Sequence, residues 1–175
     1  MAEILTTVFF MFAVIDPIGT IPVYLEATKE FDIIHKKKIA IRASIMAFLI
    51  LLFFIVIGQV ILDGMEVSLD AFQISGGVIL FLFALTMIFG EGKPEQEKNR
   101  ITDYKHVTIF PIAIPSLASP GAIMAVVLMT NNQIYSIQEQ AITSFIVLIV
   151  IGITCLILLT ANYLQKLIGS YGITV

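Results

Sequence analysis

The stretch that decides the fold is VIDPIGTIP, residues 14–22, which interrupts an otherwise apolar run from Ile4 to Leu25. A helix in a membrane must satisfy its own backbone groups, whereas proline lacks the N–H donor and glycine favours turns. An acid inside the hydrocarbon is costly and is by default a hypothesis for a functional site. The stretch therefore predicts a membrane helix that is broken near its middle, with Asp16 at the break.

The composition of the chain indicates a membrane protein. Of its 175 residues, 58% are hydrophobic and 13% are charged, and the mean hydropathy is +0.99. Soluble domains are about half apolar and about a quarter charged, and a spanning helix needs about 20 apolar residues. We therefore predict an all-α polytopic membrane protein whose five visible spans are Ile4–Leu25, Ile39–Leu62, Ala71–Gly90, Val107–Thr130 and Ala141–Leu164.

The distribution of positive charge predicts the orientation of these spans. All ten Lys and Arg residues lie in or beside the first and third connections, or after the fifth span. By the positive-inside rule, these regions are cytoplasmic and the N-terminus is outside. The run Lys36–Lys38 is then a topology signal that contacts membrane lipid. A nucleic-acid partner is not expected, because the net charge is −3 and there is no basic domain.

A second broken helix is predicted in LASPGAI, residues 117–123. Ser119 precedes Pro120 there, as Asp16 precedes Pro17 in the first span. Asp and Ser are favoured N-cap residues, and proline suits the first position of a helix. We therefore expect spans one and four to be broken helices whose second halves begin at Pro17 and Pro120.

The spacing of the two breaks predicts an inverted repeat. Pro17 and Pro120 are 103 residues apart (120 − 17), and spans two and five begin 102 residues apart (141 − 39). Three spans per half reverse the direction of the second half, so we expect one transmembrane domain over 1–175, with repeats at about 1–90 and about 107–175. The second repeat is incomplete, because the partner of span three would begin near residue 173. There are two explanations: the chain lacks a sixth span, or another subunit of a homo-oligomer covers the surface where that span would lie.

Enzyme chemistry is not expected from this sequence. An aspartyl intramembrane protease needs paired acids, and only Asp16 is deep within a predicted span. His35 and His106 are far apart and lack metal-ligand spacing. No nucleotide-binding, metalloprotease or nucleophile-elbow motif occurs. We therefore predict no catalytic residue, no metal and no cofactor.

Three segments carry a resemblance to a known family. DPIGTIPVYL (16–25), AFQISGGVILFLFAL (71–85) and PIAIPSLASPGAI (111–123) closely resemble the MarC family of prokaryotic inner-membrane proteins, which includes SnatA-type small neutral amino-acid transporters. Members typically have six membrane helices. Thr20 stands where Asn is frequent in the family, and Ser119 where Gly is frequent. The resemblance implies a multi-pass inner-membrane transporter of small solutes, with glycine and alanine as the best-supported substrates.

The site residues follow from the chemistry of a zwitterionic amino acid. Half-helix N-termini carry partial positive charge and N–H donors, which suit a carboxylate. Asp16 and unwound carbonyls suit an ammonium group, and Asp16 is also the candidate for a coupled proton. Backbone N–H groups near Gly19 and Gly121 can approach the ligand closely. The predicted substrate-binding residues are Asp16, Pro17, Gly19, Thr20, Ser116, Ser119, Pro120 and Gly121.

Several alternatives stay open from the sequence. The prolines and glycines can kink helices for packing, which membrane helices tolerate, and Asp16 can be a helix cap with no further role. Within transport, the alternatives are an exporter of drugs, metabolites or metal ions, and a passive channel. Outside transport, the alternative is a non-transporting membrane scaffold.

Overall fold

The computed structural model describes residues 2–89 and 103–168, and every regular element within these two ranges is helical. An irregular segment, Thr108–Leu117, lies between two of the helices. The helices are α1 Ala2–Ile15, α2 Thr20–Thr28, α3 Ile33–Gly64, α4 Leu69–Phe89, α5 Tyr104–Val107, α6 Pro120–Met129 and α7 Ile137–Ile168.

The described helices confirm a polytopic membrane fold. Three stretches are long and apolar enough to cross a membrane: Ile4–Thr28, Ile33–Gly64 and Ile137–Ala161. A fourth span can form from the pair Tyr104–Leu117 and Pro120–Met129, which is bent by 55°. Helix α4 covers the third predicted span except Gly90, which lies outside the described residues, but it is not among these candidate spans.

The two longest helices begin earlier than predicted, because polar caps extend them into the connections. Helix α3 starts at Ile33 rather than Ile39, and its N-cap Asp32 accepts a hydrogen bond from the His35 amide at 2.9 Å. Helix α7 starts at Ile137 rather than Ala141. There the Ser136 amide donates to the Glu139 carboxylate at 2.7 Å, while the Glu139 amide donates to the Ser136 hydroxyl at 3.4 Å. This reciprocal pair is a capping box.

The two halves of the chain correspond in detail. Helices α3 and α7 each contain 32 residues and start 104 residues apart (137 − 33). The Thr28 hydroxyl donates to the Tyr24 carbonyl at 2.7 Å, and the Thr130 hydroxyl donates to the Val126 carbonyl at 2.6 Å. These buried threonines end the second halves of the two broken helices and are 102 residues apart (130 − 28). The correspondence supports the repeat architecture.

Small residues allow close packing in the centre of the bundle. Ala40, Ala43 and Ala47 repeat at helical spacing along α3 and are completely buried. A Cβ at Gly76 of α4 would overlap the Met124 sulfur of α6, so glycine permits the close approach of these helices. Small contact residues are typical of membrane helices, which gain little from hydrophobic burial in lipid. The opposite face of α3 is an exposed apolar stripe: Ile45, Leu49, Phe53, Val56 and Val60.

Two prolines make the first half of the fourth span irregular. The backbone is extended at Phe110 (φ −124°, ψ 126°) and at Ile114 (φ −131°, ψ 128°). Each of these residues precedes a proline, Pro111 or Pro115, and proline disfavours helical geometry in its predecessor. The predicted break between the two halves of this span is therefore confirmed, and the first half carries two further interruptions that the sequence analysis did not predict. Irregular backbone extends through most of the membrane-entering half before α6 begins.

Candidate functional site

The first break is built around the carboxylate of Asp16. Asp16 follows the end of α1 and has a positive φ of 50°, which Asp tolerates better than most residues. Its Oδ1 accepts from the Gly19 amide at 2.9 Å, and its carbonyl accepts from the Thr20 hydroxyl at 3.0 Å. Helix α2 begins at Thr20 rather than at Pro17, because the turn of residues 17–19 completes the change of direction.

Gly19 is required by the way in which the Asp16 side chain folds back. A Cβ at residue 19 would overlap Asp16 Oδ2, so any larger residue must displace the carboxylate. The Gly19 amide is already bonded to Asp16. In this geometry it is not the open ligand donor that the sequence suggested, and its role is to hold the carboxylate.

The second break has the corresponding hydrogen bond with a neutral side chain. Here the side chain is the N-cap of α6, whereas the bond from Gly19 to Asp16 closes the turn before α2. Ser119 is extended (φ −68°, ψ 158°), and its hydroxyl oxygen accepts from the Ala122 amide at 3.0 Å. Pro120 is the first residue of α6, as predicted. Asp16 and Ser119 both accept from the amide three residues later, and they are 103 residues apart (119 − 16). Gly121 is buried in the first turn of α6.

The two breaks meet at a small cavity. Its volume is about 60 Å³, and it brings together five of the eight residues predicted for the site: Asp16, Gly19, Thr20, Ser116 and Ser119. Pro17, Pro120 and Gly121 do not line it, and they shape the backbone beside it. The sequence reasoning missed three apolar lining residues, Val14, Ile15 and Val23. The helical spacing around the break could have indicated them, since Val23 lies about one helical turn after Thr20.

The cavity is polar on one side and carries a single charged group. Asp16 is exposed at its edge, whereas Thr20 and Ser119 are 2% and 6% exposed. Among the residues that the structure describes, no Lys, Arg or His lines the cavity. A carboxylate among hydroxyl groups favours a ligand with positive charge and hydrogen-bond donors. Within the described ranges, no group of three or more His, Cys, Asp or Glu side chains could hold a metal ion.

Spanning helices with two breaks that meet at a small cavity define an integral membrane protein with interrupted helices. The particular family is shown by comparison with known proteins: the chain matches the family of MarC integral membrane proteins over residues 1–175 and belongs to it.

Relatives from bacteria and archaea support this membership. A UPF0056 membrane protein of Buchnera aphidicola subsp. Acyrthosiphon pisum is 32% identical over 177 residues, covering 99% of this chain and 85% of the relative. One from Methanocaldococcus jannaschii is 31% identical over 168 residues, covering 94% and 82%. One from Archaeoglobus fulgidus is 37% identical over 118 residues, covering 66% and 55%. The comparison with solved structures gives no match.

Proposed function

We propose that this MarC-family protein is a secondary transporter of small neutral amino acids of the glycine and alanine class. The observation that carries the proposal is the cavity where the two capped breaks meet, which is lined by Asp16, Thr20, Ser116 and Ser119. Interrupted helices at matching positions of two repeats are the feature that best indicates the binding site of a transporter. The protein has no catalytic role in this proposal.

The cavity is chemically suited to a zwitterion. The Asp16 carboxylate can pair with the ammonium group of the solute, and the hydroxyl groups of Thr20, Ser116 and Ser119 can bond its polar atoms. The N-terminus of α6, which begins directly after Ser119, supplies partial positive charge for the solute carboxylate. One charged protein group and one helix terminus thus match the two charges of an amino acid.

The size of the cavity favours small solutes. Pockets for drug-sized ligands measure about 300–1,000 Å³, whereas this cavity measures about 60 Å³. A single water needs at least about 10–15 Å³ on the same kind of measure, so the cavity can hold a few waters or a solute of a few heavy atoms. Val14, Ile15 and Val23 form the apolar part of its lining. Glycine and alanine fit this limit better than drugs do.

In the proposed mechanism, the half-helices alternately open the site to either side of the membrane. Asp16 binds the ammonium group of the solute, or a proton that drives transport. The bent second-repeat pair and the broken first helix provide the elements that rock around a fixed site. Opening on one side at a time makes the flux saturable and allows exchange of labelled for unlabelled solute.

The proposed location is the prokaryotic inner membrane, with the N-terminus outside. Lys36, Lys37 and Lys38 lie in the first turns of α3, and Lys105 lies in α5, so the described basic residues support the cytoplasmic assignment of these ends. A reporter fused within the connection 63–70 is expected to be external. A cytoplasmic reporter at that position would contradict this orientation.

The function is tested with purified protein in proteoliposomes. We expect saturable uptake of labelled glycine and alanine, accelerated by unlabelled solute on the opposite side, and much weaker uptake of leucine. Uptake that neither saturates nor exchanges would indicate a channel. Absence of uptake, together with no rise in the melting temperature on addition of either amino acid, would indicate a scaffold and sink the proposal.

A further inference from the structure

A second and larger crevice lies at the basic end of the bundle, away from the cavity between the breaks. Its volume is about 340 Å³, and it runs between α3 and the chain from α5 into the irregular segment. The described residues that line it are Arg42, Ile45, Met46, Lys105, Thr108 and Ile109. No residue is shared with the cavity of the proposed transport site. The crevice is therefore a separate candidate binding site.

The guanidinium group of Arg42 is held in a fixed position in this crevice. Its Nη1 donates to the Tyr104 hydroxyl at 3.3 Å, and its Cζ lies 5.5 Å from the centre of the Tyr104 ring. The Tyr104 ring in turn contacts the His35 ring, with 5.4 Å between centroids. A planar guanidinium that is already oriented can bind a phosphate through two parallel N–H groups. The contacts with Tyr104 thus orient the guanidinium group of Arg42 so that it can bind an anion.

The charges of the crevice are all of one sign. Arg42 and Lys105 supply two cations, and no Asp or Glu lines the crevice in the described part of the chain. Among the described residues, the ion pairs at this end are Lys29 with Glu26 and His35 with Asp32, and neither involves Arg42 or Lys105. A ligand with negative charge would complement this pair of cations.

Three of the other lining residues, Ile45, Met46 and Ile109, are apolar. Ile45 is 54% exposed and belongs to the apolar stripe along α3, and Ile109 is 44% exposed. Exposed isoleucines at the membrane end of two spans contact acyl chains when the bundle is embedded. A ligand in this crevice can therefore place an anionic group between Arg42 and Lys105 while its apolar part continues along Ile45 and Ile109.

We propose that the crevice binds one anionic phospholipid, with the phosphate between Arg42 and Lys105 and an acyl chain along Ile45, Met46 and Ile109. Basic pockets between membrane helices at the cytoplasmic side are suited to acidic head groups. The volume accommodates the phosphate and glycerol region, while the chains extend into the bilayer. This site is independent of the proposed transport function, since none of its residues touches the solute cavity.

The test compares lipid retention by native mass spectrometry after purification from nanodiscs that contain phosphatidylcholine and phosphatidylglycerol in equal amounts. Wild type is expected to retain phosphatidylglycerol selectively. The R42Q/K105Q variant is expected to bind it roughly tenfold more weakly or worse. The matched control is K29Q/K37Q, which removes two exposed cations from the same end but leaves the crevice intact. We expect this control to retain the lipid within about twofold of wild type.

Two further arms keep the proposal falsifiable. Met46→Trp fills the apolar wall without changing the charge, and it is expected to lower retention even if R42Q/K105Q does not fold. Inorganic phosphate is added to protein in phosphatidylcholine nanodiscs, where it is expected to leave the melting temperature unchanged. Equal losses in both double variants, unchanged retention in Met46→Trp, or stabilisation by inorganic phosphate alone would each overturn a specific lipid site.

Discussion

The two breaks in the membrane helices use the same hydrogen bond but different chemistry. At each break, a side-chain oxygen accepts from the amide three residues later: Asp16 from Gly19 at 2.9 Å, and Ser119 from Ala122 at 3.0 Å. Asp16 is exposed and has left-handed backbone, whereas Ser119 is 6% exposed and extended. The hydroxyl shows that a neutral group suffices for the cap. The charge of Asp16 is therefore not required for this hydrogen bond, and Asp16 lines the cavity.

Burial accounts for the choice of residue at each break. An ionised carboxylate that is taken out of water without an opposite charge is strongly disfavoured, whereas a hydroxyl that donates and accepts is tolerated. The second break is buried within the protein and carries a hydroxyl, whereas the carboxylate of the first break lines the cavity, where a cation or a proton can compensate its charge. The two halves thus share this hydrogen bond, while the charged group occurs only at the first break.

The largest expected effect is on transport, from Asp16→Asn. Asparagine is an equally good cap, so the melting temperature should stay within a few degrees of wild type. The charge that pairs with an ammonium group or carries a proton is lost. Gradient-driven uptake of glycine in proteoliposomes should fall at least tenfold, which is about 1.4 kcal/mol of lost interaction.

The control for this variant is Asp63→Asn, which neutralises an exposed acid near the end of α3 that does not line the cavity. It should transport glycine at the wild-type rate. If Asp16→Asn retains full gradient-driven uptake, then Asp16 has no role in substrate or proton coupling, and its function is limited to the cap.

The next effect is on stability, from exchanging the two caps. Ser119→Asp places a carboxylate in the buried break, and the free energy of unfolding should fall by roughly 2 kcal/mol or more. Asp16→Ser, the reciprocal change, keeps a capping oxygen at the exposed break and should lower it by less than about 1 kcal/mol. Thermal and denaturant unfolding in detergent compare the two. Equal destabilisation by both variants would show that burial does not distinguish the breaks.

A smaller effect is expected from Gly19→Ala. The added Cβ would overlap Asp16 Oδ2, so the carboxylate must swing out and release the amide of residue 19. Loss of this hydrogen bond should lower the free energy of unfolding by about 1 kcal/mol. The altered position of the carboxylate should also lower the rate of glycine uptake, and we expect this to be the larger of the two effects when both are expressed as free energies. Gly152→Ala on α7 is the control, because a Cβ there meets no atom within 4 Å. Identical behaviour of the two variants would show that Asp16 is not held by residue 19.

The sequence predicted the class of fold and the existence of both breaks for the same physical reason. Prolines, glycines and an acid are costly inside lipid unless a local structure satisfies the backbone. The sequence alone therefore predicted breaks at Asp16–Gly19 and Ser119–Pro120. The helix starts were less visible, because Asp32 and Ser136 cap α3 and α7 from within the polar connections. Apolarity alone does not mark such boundaries.

The rest of the site depends on contacts between distant parts of the chain. Ser116 reaches the cavity only because the irregular segment replaces a regular helix before α6. The extended backbone at Phe110 and Ile114 can be predicted from the prolines that follow them. The position of Ser116 at the cavity cannot be predicted in this way. Arg42 and Tyr104 are 62 residues apart in sequence, and no local pattern links them. These contacts between residues that are distant in sequence could not be predicted from the local motifs.

The smallest expected effect is a difference in pH dependence between a helix cap formed by a carboxylate and one formed by a hydroxyl. Hydrogen bonds from the His35 amide and then from the His35 ring lower the pKa of Asp32 below its ordinary value of 3.8. A lowered pKa in the folded state means that the stabilisation is complete above the ordinary value and is lost as the pH falls through the lowered one. Acid should therefore loosen the start of α3. Hydrogen exchange of the His35 amide, corrected for its intrinsic rate, should rise as the pH falls below about 4.

The matched comparison is the Ala122 amide, which is capped by the Ser119 hydroxyl and has no titrating partner in that bond. Its corrected exchange should not change over the same range. Asp32→Asn keeps a capping oxygen but does not titrate, so the acid dependence at His35 should disappear while the protection at neutral pH is kept. If exchange at both amides rises equally in acid, the bundle loosens as a whole. The distinction between charged and neutral caps would then have no effect on local stability.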